Sequence, residues 1–431
     1  MIKVNRSILT LFFLSVVVIS AQPKKYSLQQ LLHFAINNNT DMRISRGNNS
    51  IIKMEKTKVQ SGLLPQINAE GSYIYSSEKN GGPTFVGANG RNEIFALLSM
   101  RQTIFDPTVI NDFKTSSIKA EEQVFINEQT KQNVISQVID AYFAALKYKN
   151  EQRVLKENLE AFRLLYKQSQ LLFTSGSVPE IDVKKSKIEL LLQKNSLNIA
   201  NKNYISALNY LKELVGMKIN DNLELASFNV SEVILDSLNI YQNSAWQNRP
   251  DWNLMNKEEE LGKLNVTTSF MKHLPTISGN LHYGWDALNK LDKNNLGLQA
   301  VVTASMPLWH WGAVNAGHQI AQIKSFQTEL KKKRLQLRIL REIKDNYNEA
   351  RTQKEQIAAM KESISEAALA VKMARVGYKE GTITNLDLIN TQKLYTQTKM
   401  EYLKALYNFY LAKVNLFKSI GELKEDLSWV E

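Results

Sequence analysis

The sequence predicts an α+β membrane protein built from two tandem structural repeats, each with a strand hairpin joined to a very long helical pair. The first observation is an internal repeat: Gly176 and Asp182 return as Gly381 and Asp387, at an offset of 205 residues. The second is a change of period within each half, from a two-residue apolar alternation to a long heptad pattern. Repeats of this length are too long for a solenoid, so they indicate two structurally equivalent halves.

The first 21 residues have the pattern of a secretory signal peptide. Lys3 and Arg6 form a basic region, an apolar core runs from Ile8 to Ser20, and Ser20 and Ala21 offer small residues for cleavage. An uncleaved membrane anchor is the alternative, but the apolar run is well short of the roughly 20 residues that a spanning helix needs. We therefore expect an exported chain.

The repeats also set the expected domain boundaries. We expect a signal peptide (1–21), repeat 1 (22–216), an inter-repeat segment (217–236), repeat 2 (237–421) and a C-terminal tail (422–431). The strand hairpins are expected at about 66–105 and 276–309, and the long helical pairs at about 107–215 and 312–420.

Composition excludes several functions. The 431 residues include no cysteine, which excludes disulfides, thiolate metal sites and lipidation at an N-terminal cysteine. The net charge of +12 would suit nucleic acid, but an exported chain without an aromatic-basic motif argues against that partner. The five histidines form no helical metal pair, and no nucleophile with a nearby base stands out. We expect no metal, no cofactor and no enzymatic activity.

Each repeat contains two alternating segments that predict a β-hairpin. In repeat 1 the alternation runs from Ile67 to Tyr75 and from Glu93 to Phe105, and in repeat 2 from Ile277 to Trp285 and from Leu298 to Met306. A two-residue period marks a strand with one apolar face. The predicted apolar faces comprise Ile67, Ala69, Gly71, Tyr73 and Tyr75; Ile94, Ala96, Leu98, Met100 and Ile104; Ile277, Gly279, Leu281, Tyr283 and Trp285; and Leu298, Ala300, Val302, Ala304 and Met306.

The other segments are predicted to be helical. Ser27 to Asn37 and Asp41 to Gly62 form shorter helices, with Ser27 as N-cap. From Asp106 to Thr174 nothing interrupts the helix except Pro107 at its start, where proline is tolerated. At 1.5 Å per residue this helix is about 100 Å long, which no compact domain accommodates.

A return helix completes each long pair. The return helices run from Asp182 to Val215 and from Asp387 to Ile420, and the glycine that follows each is a plausible C-terminal cap. A heptad seam predicts how the long helices pack. Its predicted positions are Val134, Val138, Ala141, Ala145, Tyr148, Leu155, Leu159, Phe162, Tyr166, Ser169 and Phe173, and then Met360, Ile364, Ala367, Val371, Ala374 and Tyr378.

Four strands per chain cannot close a barrel, and an open amphipathic sheet is unstable in lipid because its edge groups stay unpaired. Several chains must therefore pool their strands. Three chains would give twelve strands, within the even-numbered range of outer-membrane barrels. The same oligomer would arrange the helical stacks into a tube.

These features resemble the outer membrane efflux protein family, the TolC-like outer membrane factors. The resemblance rests on the order, duplication and spacing of short motifs: Leu64-Pro65 and Leu274-Pro275 before strands, 103–106 and 307–309 after strands, and the helical turns 176–182 and 381–387. It implies a homotrimer with a 12-stranded β-barrel in the outer membrane, continuous with a long α-helical barrel in the periplasm. It also implies passive outward conduction, a periplasmic adaptor protein, and an inner-membrane pump of the resistance-nodulation-division or ABC type.

The helical turns give the candidate site residues, each with a plain structural alternative. By resemblance the tips dock the adaptor; the alternative is a simple interhelical turn. The tip residues are Gly176, Ser177, Val178, Pro179, Gly381, Thr382, Ile383 and Thr384. Asp182 and Asp387 are candidates for a pore gate; the alternative is a cap or first-turn carboxylate. Relatives often place a further carboxylate one turn after the second position, where this chain has Asn390.

Aromatic residues near the strand ends are candidates for lipid-interface girdles, with ordinary core packing as the alternative. They are Tyr73, Tyr75, Tyr283, Trp285, Trp309 and Trp311. Within the duct class, the Val178-Pro179 turn favours drug efflux over type I protein secretion, which stays open as an alternative. A periplasmic coiled-coil scaffold is a further rival, but it has no use for apolar outward strand faces. An outer-membrane barrel enzyme is disfavoured because no catalytic cluster is present.

Overall fold

The computed structural model describes residues 25–79, 82–83, 92–226, 235–288, 294 and 296–426. The predicted signal peptide, residues 227–234 of the inter-repeat segment and the end of the C-terminal tail lie outside this part of the chain. Within the described residues, no helix combines the length and the apolar character needed to cross a membrane.

The elements follow one another in the order that two repeats require. Repeat 1 contains β1 (Lys25–Tyr26), α1 (Leu28–Asn38), α2 (Thr40–Ser61), β2 (Gln66–Tyr75), β3 (Glu78–Lys79), β4 (Gly82–Pro83), β5 (Asn92–Phe105), α3 (Pro107–Thr174) and α4 (Glu180–Val215). After β6 (Glu224–Leu225), repeat 2 contains α5 (Leu238–Asn248), α6 (Pro250–Met271), β7 (Thr276–Leu288), β8 (Gly297–Ser305), α7 (Ala313–Glu380) and α8 (Asn385–Ser419).

Local sequence signals explain where the helices start. Ser27 caps α1 and forms a capping box with Gln30, as its position in the sequence predicts. Asp106 caps α3 and Pro107 occupies the first helical position. Helices α3 and α7 each contain 68 residues. Each therefore extends about 100 Å.

Strands β2, β5, β7 and β8 form one four-stranded antiparallel sheet in that order. Its register brings the four predicted apolar faces onto one side, which confirms the alternation read from the sequence. One row across the sheet is Ile67, Met100, Leu281 and Ala300, and the next is Ala69, Leu98, Tyr283 and Leu298. The opposite side is more polar, with a row of Asn68, Ser99, His282 and Gln299, although Phe95, Leu97 and Val301 also lie on it.

The long helices pair within each repeat, α3 with α4 and α7 with α8, and the two pairs meet along α3 and α8. Most of the predicted seam is buried, including Val138, Phe162, Val371 and Tyr378. Phe173 at the end of the first seam is exposed, so the heptad prediction is wrong at that position. The helix turns into its tip there, and no neighbouring helix covers the side chain.

The segments between the repeats fold against the middle of the long helices. Strand β1 pairs in parallel with β6, and the core around them includes α1, α3, α4 and α8. A second core joins α5, α7 and α8. Buried Arg249 ties these parts together, because its guanidinium donates to Asp251, Glu342 and the carbonyl of Ser419.

The two repeats differ where the sheet meets the long helices. Strand β5 reaches Phe105 and α3 starts two residues later. Strand β8 ends at Ser305, short of the predicted hairpin end, and seven linker residues precede α7. The linker includes Trp311, which has a positive φ of 48°, an uncommon backbone conformation for a bulky residue.

Candidate channel gate and membrane surfaces

The turns between the long helices form two tips. Gly176 has a φ of 74° and Gly381 a φ of 77°, so both turns use the left-handed region that a glycine enters without strain. The other proposed docking residues lie around these glycines. Ser177, Pro179, Thr382 and Thr384 are exposed, whereas Val178 and Ile383 are half-buried.

The tips are staggered along the helical axis. Asn385 at the start of α8 contacts Asp182 and Ser186 of α4, whose first helical residue is Glu180. Since Asn385 lies between the levels of these two α4 residues, the first hairpin projects beyond the second by about four residues, or about 6 Å.

A buried set of polar side chains, the lower polar layer, takes one residue from each long helix. Its members are Ser169 (α3), Ser186 (α4), Tyr378 (α7) and Asn385 (α8), all at most 3 % exposed. The Ser169 hydroxyl lies 2.9 Å from that of Ser186 and 3.0 Å from that of Tyr378. Asn385 Nδ2 donates to the Asp182 carbonyl at 2.8 Å and to Ser186 Oγ at 3.2 Å. Burial raises the pKa of the Tyr378 phenol, which therefore stays neutral.

An apolar cluster, the apolar plug, lies directly above this layer. It consists of Phe162, Leu165, Ala374, Leu388 and Ile389, with Tyr378 at its lower boundary. These side chains come from α3, α7 and α8, so the plug belongs to both hairpins.

A second buried network, the upper polar layer, lies above the plug and again joins all four helices. Asn158 (α3) is its centre: Nδ2 donates to Gln193 (α4) at 2.8 Å, and Oδ1 accepts from Gln392 Nε2 at 3.0 Å and Thr396 Oγ1 at 2.8 Å, both on α8. Arg375 (α7) donates to Gln392 Oε1 at 2.9 Å. Asn158, Gln392 and Thr396 are buried.

The three candidate gate residues lie in the first two turns of the return helices. Asp182 and Asp387 are first-turn carboxylates, and the N-caps are Pro179 and Thr384. Asp387 accepts a hydrogen bond from the Thr384 hydroxyl at 2.6 Å, and its own amide donates back to that hydroxyl. Asp182 is half-buried, whereas Asp387 and Asn390 are exposed.

The sequence alone does not predict either of the two polar layers. Ser169 and Tyr378 are predicted only as seam positions, and nothing in the sequence singles out Ser186, Asn158 or Asn385. The available signal was a small or amide side chain facing an otherwise apolar seam, which in helical bundles specifies a partner and a register.

The candidate girdle aromatics lie at different heights on the sheet. Tyr73 and Tyr75 lie at the end of β2 remote from the helices, and Tyr283 and Trp285 lie within β7. Trp309 and Trp311 lie in the linker before α7, stack edge-to-face at 5.9 Å, and are 73 % and 89 % exposed. The linker pair is thus at the opposite end of the sheet from the tyrosines of β2.

A half-apolar sheet of membrane-spanning length on top of two long helical hairpins defines a class, the outer-membrane channels with a helical extension. Strands of nine to fourteen residues suit a bilayer when tilted. The chain belongs to the outer membrane efflux protein family, whose sequence profile matches residues 31–217 and 242–422. The two matched blocks correspond to the two repeats, and each extends one residue beyond the predicted C-terminal boundary of its repeat.

Similar proteins fit this assignment. The chain is 23 % identical to the outer membrane protein TolC of Salmonella enteritidis, over 93 % of this chain and 82 % of the relative. It is 21 % identical to the cation efflux system protein CusC of Escherichia coli K12, over 91 % and 86 %. Among solved structures, CusC superposes with a TM-score of 0.83 at 16 % identity, covering 91 % of this chain and 92 % of that chain. The Campylobacter jejuni CmeC channel superposes with a TM-score of 0.82 at 17 % identity, covering 92 % and 85 %.

The protein is therefore an outer-membrane efflux channel of the TolC, CusC and CmeC type. The family consists of channels and not of enzymes. The outer-membrane location of the family agrees with the apolar side of the sheet, because lipid can cover that side.

Proposed function

We propose that three copies of this chain form an exit duct that passively conducts small molecules from a periplasmic adaptor and inner-membrane pump to the outside. The observation that carries the proposal concerns the edges of the described chain. The sheet, the helices near the tips and the helices near the sheet each have two edges that no other part of the described chain covers. These edges could complete one another in a ring of identical copies.

The sheet edges support a closed barrel. Strand β2 has ten residues and β8 has nine, and in the described part of the chain each has a partner on one side only. The two edge strands run in opposite directions, so β8 of one copy could pair with β2 of the next and continue the antiparallel order. An unpaired edge is costly in lipid, where no water satisfies its amide and carbonyl groups. Three copies give twelve strands.

The helix edges near the tips support the same ring. In the order α4–α3–α8–α7, the outer helices α4 and α7 each have an unpartnered apolar stripe within the chain. Such a stripe with four-three or seven-residue spacing fits a neighbouring helix. The α4 stripe is Ile181, Ile188, Leu192 and Ile199, and the α7 stripe is Leu369, Met373 and Val376.

The helix edges near the sheet repeat the pattern. In the order α2–α3–α6–α7, exposed apolar residues recur on α2 and on the first half of α7. The α2 residues are Ile44, Ile51 and Met54, and the α7 residues are Ile320, Ile323, Phe326, Leu330 and Leu337. A second copy of the chain accounts for both stripes at once.

We expect Leu192→Glu to weaken the assembly, because each copy would lose an apolar contact worth about 1.5–3 kcal/mol and bury a charge instead. The measurement is the melting temperature and native mass of the detergent-purified channel. Asn198→Glu, on an exposed position of the same helix outside the stripe, is the matched control. An equal effect of both variants would contradict a ring contact along the α4 stripe.

The tips supply the proposed gate. The lower polar layer joins the α3–α4 hairpin to the α7–α8 hairpin through Asn385 and Tyr378, at the far end of both pairs. In a ring, these contacts would set how far the α7–α8 hairpins lean towards the axis. Breaking them would widen the opening. The exposed tip turns are the proposed adaptor contacts, because they are the most distant surface from the sheet.

The charge around the gate is a separate proposal for Asp182, Asp387 and Asn390. Three copies of an exposed carboxylate around an axis attract cations. We therefore expect Asp387→Asn to lower the cation preference of single channels in planar bilayers, and Asn390→Asp to raise it. If ion selectivity is the same in both variants and in the wild type, the carboxylate acts only at the helix start, through Thr384.

The duct function itself is tested in cells. A strain lacking the gene should accumulate a fluorescent efflux dye several-fold, and the wild-type gene should restore efflux. Wild-type dye levels in the deletion strain would contradict drug efflux and favour the secretion alternative. The relevant control is a strain lacking an unrelated outer-membrane channel.

A further inference from the structure

We propose that the upper polar layer is the pivot of the gate. In this proposal the α7–α8 hairpin tilts about Asn158 when the lower polar layer parts, while the contacts of the upper polar layer stay made. The inference rests on the proposed gating function and adds the place where the motion begins.

The bonding of Asn158 supports a pivot. Its Oδ1 accepts from Gln392 and Thr396, which lie one turn apart on α8. Two donors on one helix fix both its height and its rotation against α3. A buried amide left unpaired costs about 1–3 kcal/mol, and the network has several such groups, so parting this layer is costly.

Two ion pairs flank the same level. Lys393 of α8 binds Glu189 of α4 at 2.5 Å, and Lys399 of α8 binds Glu157 of α3 at 2.7 Å. Exposed pairs of this kind contribute little energy singly, about 0–1 kcal/mol. Their geometry matters more, because they hold α8 to both helices of the other hairpin. Among the described tip residues, no ion pair joins the two hairpins below the plug.

Above Asn158 the two hairpins remain attached. Asn150 of α3 donates to the Tyr407 hydroxyl of α8 at 2.5 Å, and Phe143 stacks on Tyr410 with centroids 5.1 Å apart. Below the apolar plug, the polar links between the hairpins that the described residues show are those of the lower polar layer. The α7–α8 hairpin is therefore fixed at one end and weakly held at the other.

The apolar plug between the layers suits a tilting surface. Apolar contacts are non-directional, so Phe162 and Leu165 can shift against α8 without losing a specific bond. On the moving hairpin, the lever from Thr396 to the start of α8 at Asn385 is about 16 Å, so a tilt of about 10° moves the tip by about 3 Å.

Engineered cysteines test the pivot cleanly, because the chain has none of its own. Three pairs are introduced separately into the full-length protein. Ser186→Cys with Asn385→Cys joins the hairpins at the lower polar layer, and Asn158→Cys with Thr396→Cys joins them at the upper polar layer. Gln152→Cys with Asn201→Cys is the matched control, because it closes a bond within one hairpin and lies outside both polar layers.

The readout is dye efflux by cells, before and after reduction, with the oxidised fraction measured by thiol alkylation. The oxidising periplasm favours disulfide formation, and a short bis-maleimide joins any pair that oxidation leaves open. We expect the bond between the cysteines at positions 186 and 385 to reduce efflux about tenfold. Efflux should return when the disulfide is reduced or when the cross-linker is omitted. We expect the upper bond and the control bond to leave efflux at the level of the uncross-linked variant.

Two other outcomes would contradict parts of the proposal. Loss of efflux on closing the upper bond would show that this layer must part, and would refute the pivot while leaving the gate intact. Unchanged efflux on closing the lower bond would refute the gate, and the pivot with it.

Discussion

Tyr378→Phe combined with Asn385→Leu is expected to open the channel permanently. The first change removes the hydroxyl that contacts Ser169, and the second removes the amide that donates to Asp182 and Ser186. One lost hydrogen bond costs about 0.5–1.5 kcal/mol, and buried groups left unpaired cost about 1–3 kcal/mol. A loss of about 3 kcal/mol per chain shifts the closed-to-open ratio by roughly a hundredfold.

The measurement is single-channel conductance in planar bilayers, supported by entry of a large, normally excluded antibiotic into cells. Tyr166→Phe is the matched control, because Tyr166 bonds only Gln170 one turn away on the same helix. If channels of the double variant stay closed and conduct no more than wild-type channels, the lower polar layer is not the gate. A melting temperature near that of the wild type would exclude misfolding of the double variant as the reason for a higher conductance.

Leu298→Arg is expected to prevent insertion of the protein into the outer membrane. Leu298 lies in the apolar row with Ala69, Leu98 and Tyr283, and its side chain is 67 % exposed within one chain. An arginine on the lipid side near the bilayer middle costs about 2–4 kcal/mol, and a ring of three copies carries that cost three times.

Gln299→Arg is the matched control, because the next residue of the same strand points to the polar side beside His282. The measurement is the amount of heat-stable channel recovered from outer-membrane fractions. We expect near-wild-type recovery for Gln299→Arg and severe loss for Leu298→Arg. Equal recovery of the two variants would contradict the assignment of the apolar side to lipid.

Much of the fold could be predicted because its signals are local and periodic. The alternation around Ile67 and Leu298 indicated strands and their apolar sides, and the register of the sheet agrees for all four strands. The seam through Val138 and Phe162 indicated the face on which the long helices pack. Both patterns reflect the geometry of one element against one neighbour, which a single sequence records.

The polar layers could not be predicted, because each combines residues from four separate helices. Ser186 and Asn385 are 199 residues apart in sequence, and neither stands out as a site residue. Their meeting depends on the stagger of the two tips, which results from packing along the whole length of α3 and α8. The sequence likewise predicts that the second hairpin continues to about residue 309, whereas β8 ends at Ser305.

The sequence by itself determined the two repeats, the strand and helix types and the family, because repetition and periodicity are properties of the chain alone. Only the tertiary structure decided which polar side chains meet between the hairpins and where the open edges lie. The physical reason is that a buried hydrogen bond between distant helices needs its two partners at the same height within a few tenths of an ångström. That height is set by the accumulated packing of α3, with 68 residues, against α8, with 35, and no local pattern encodes it.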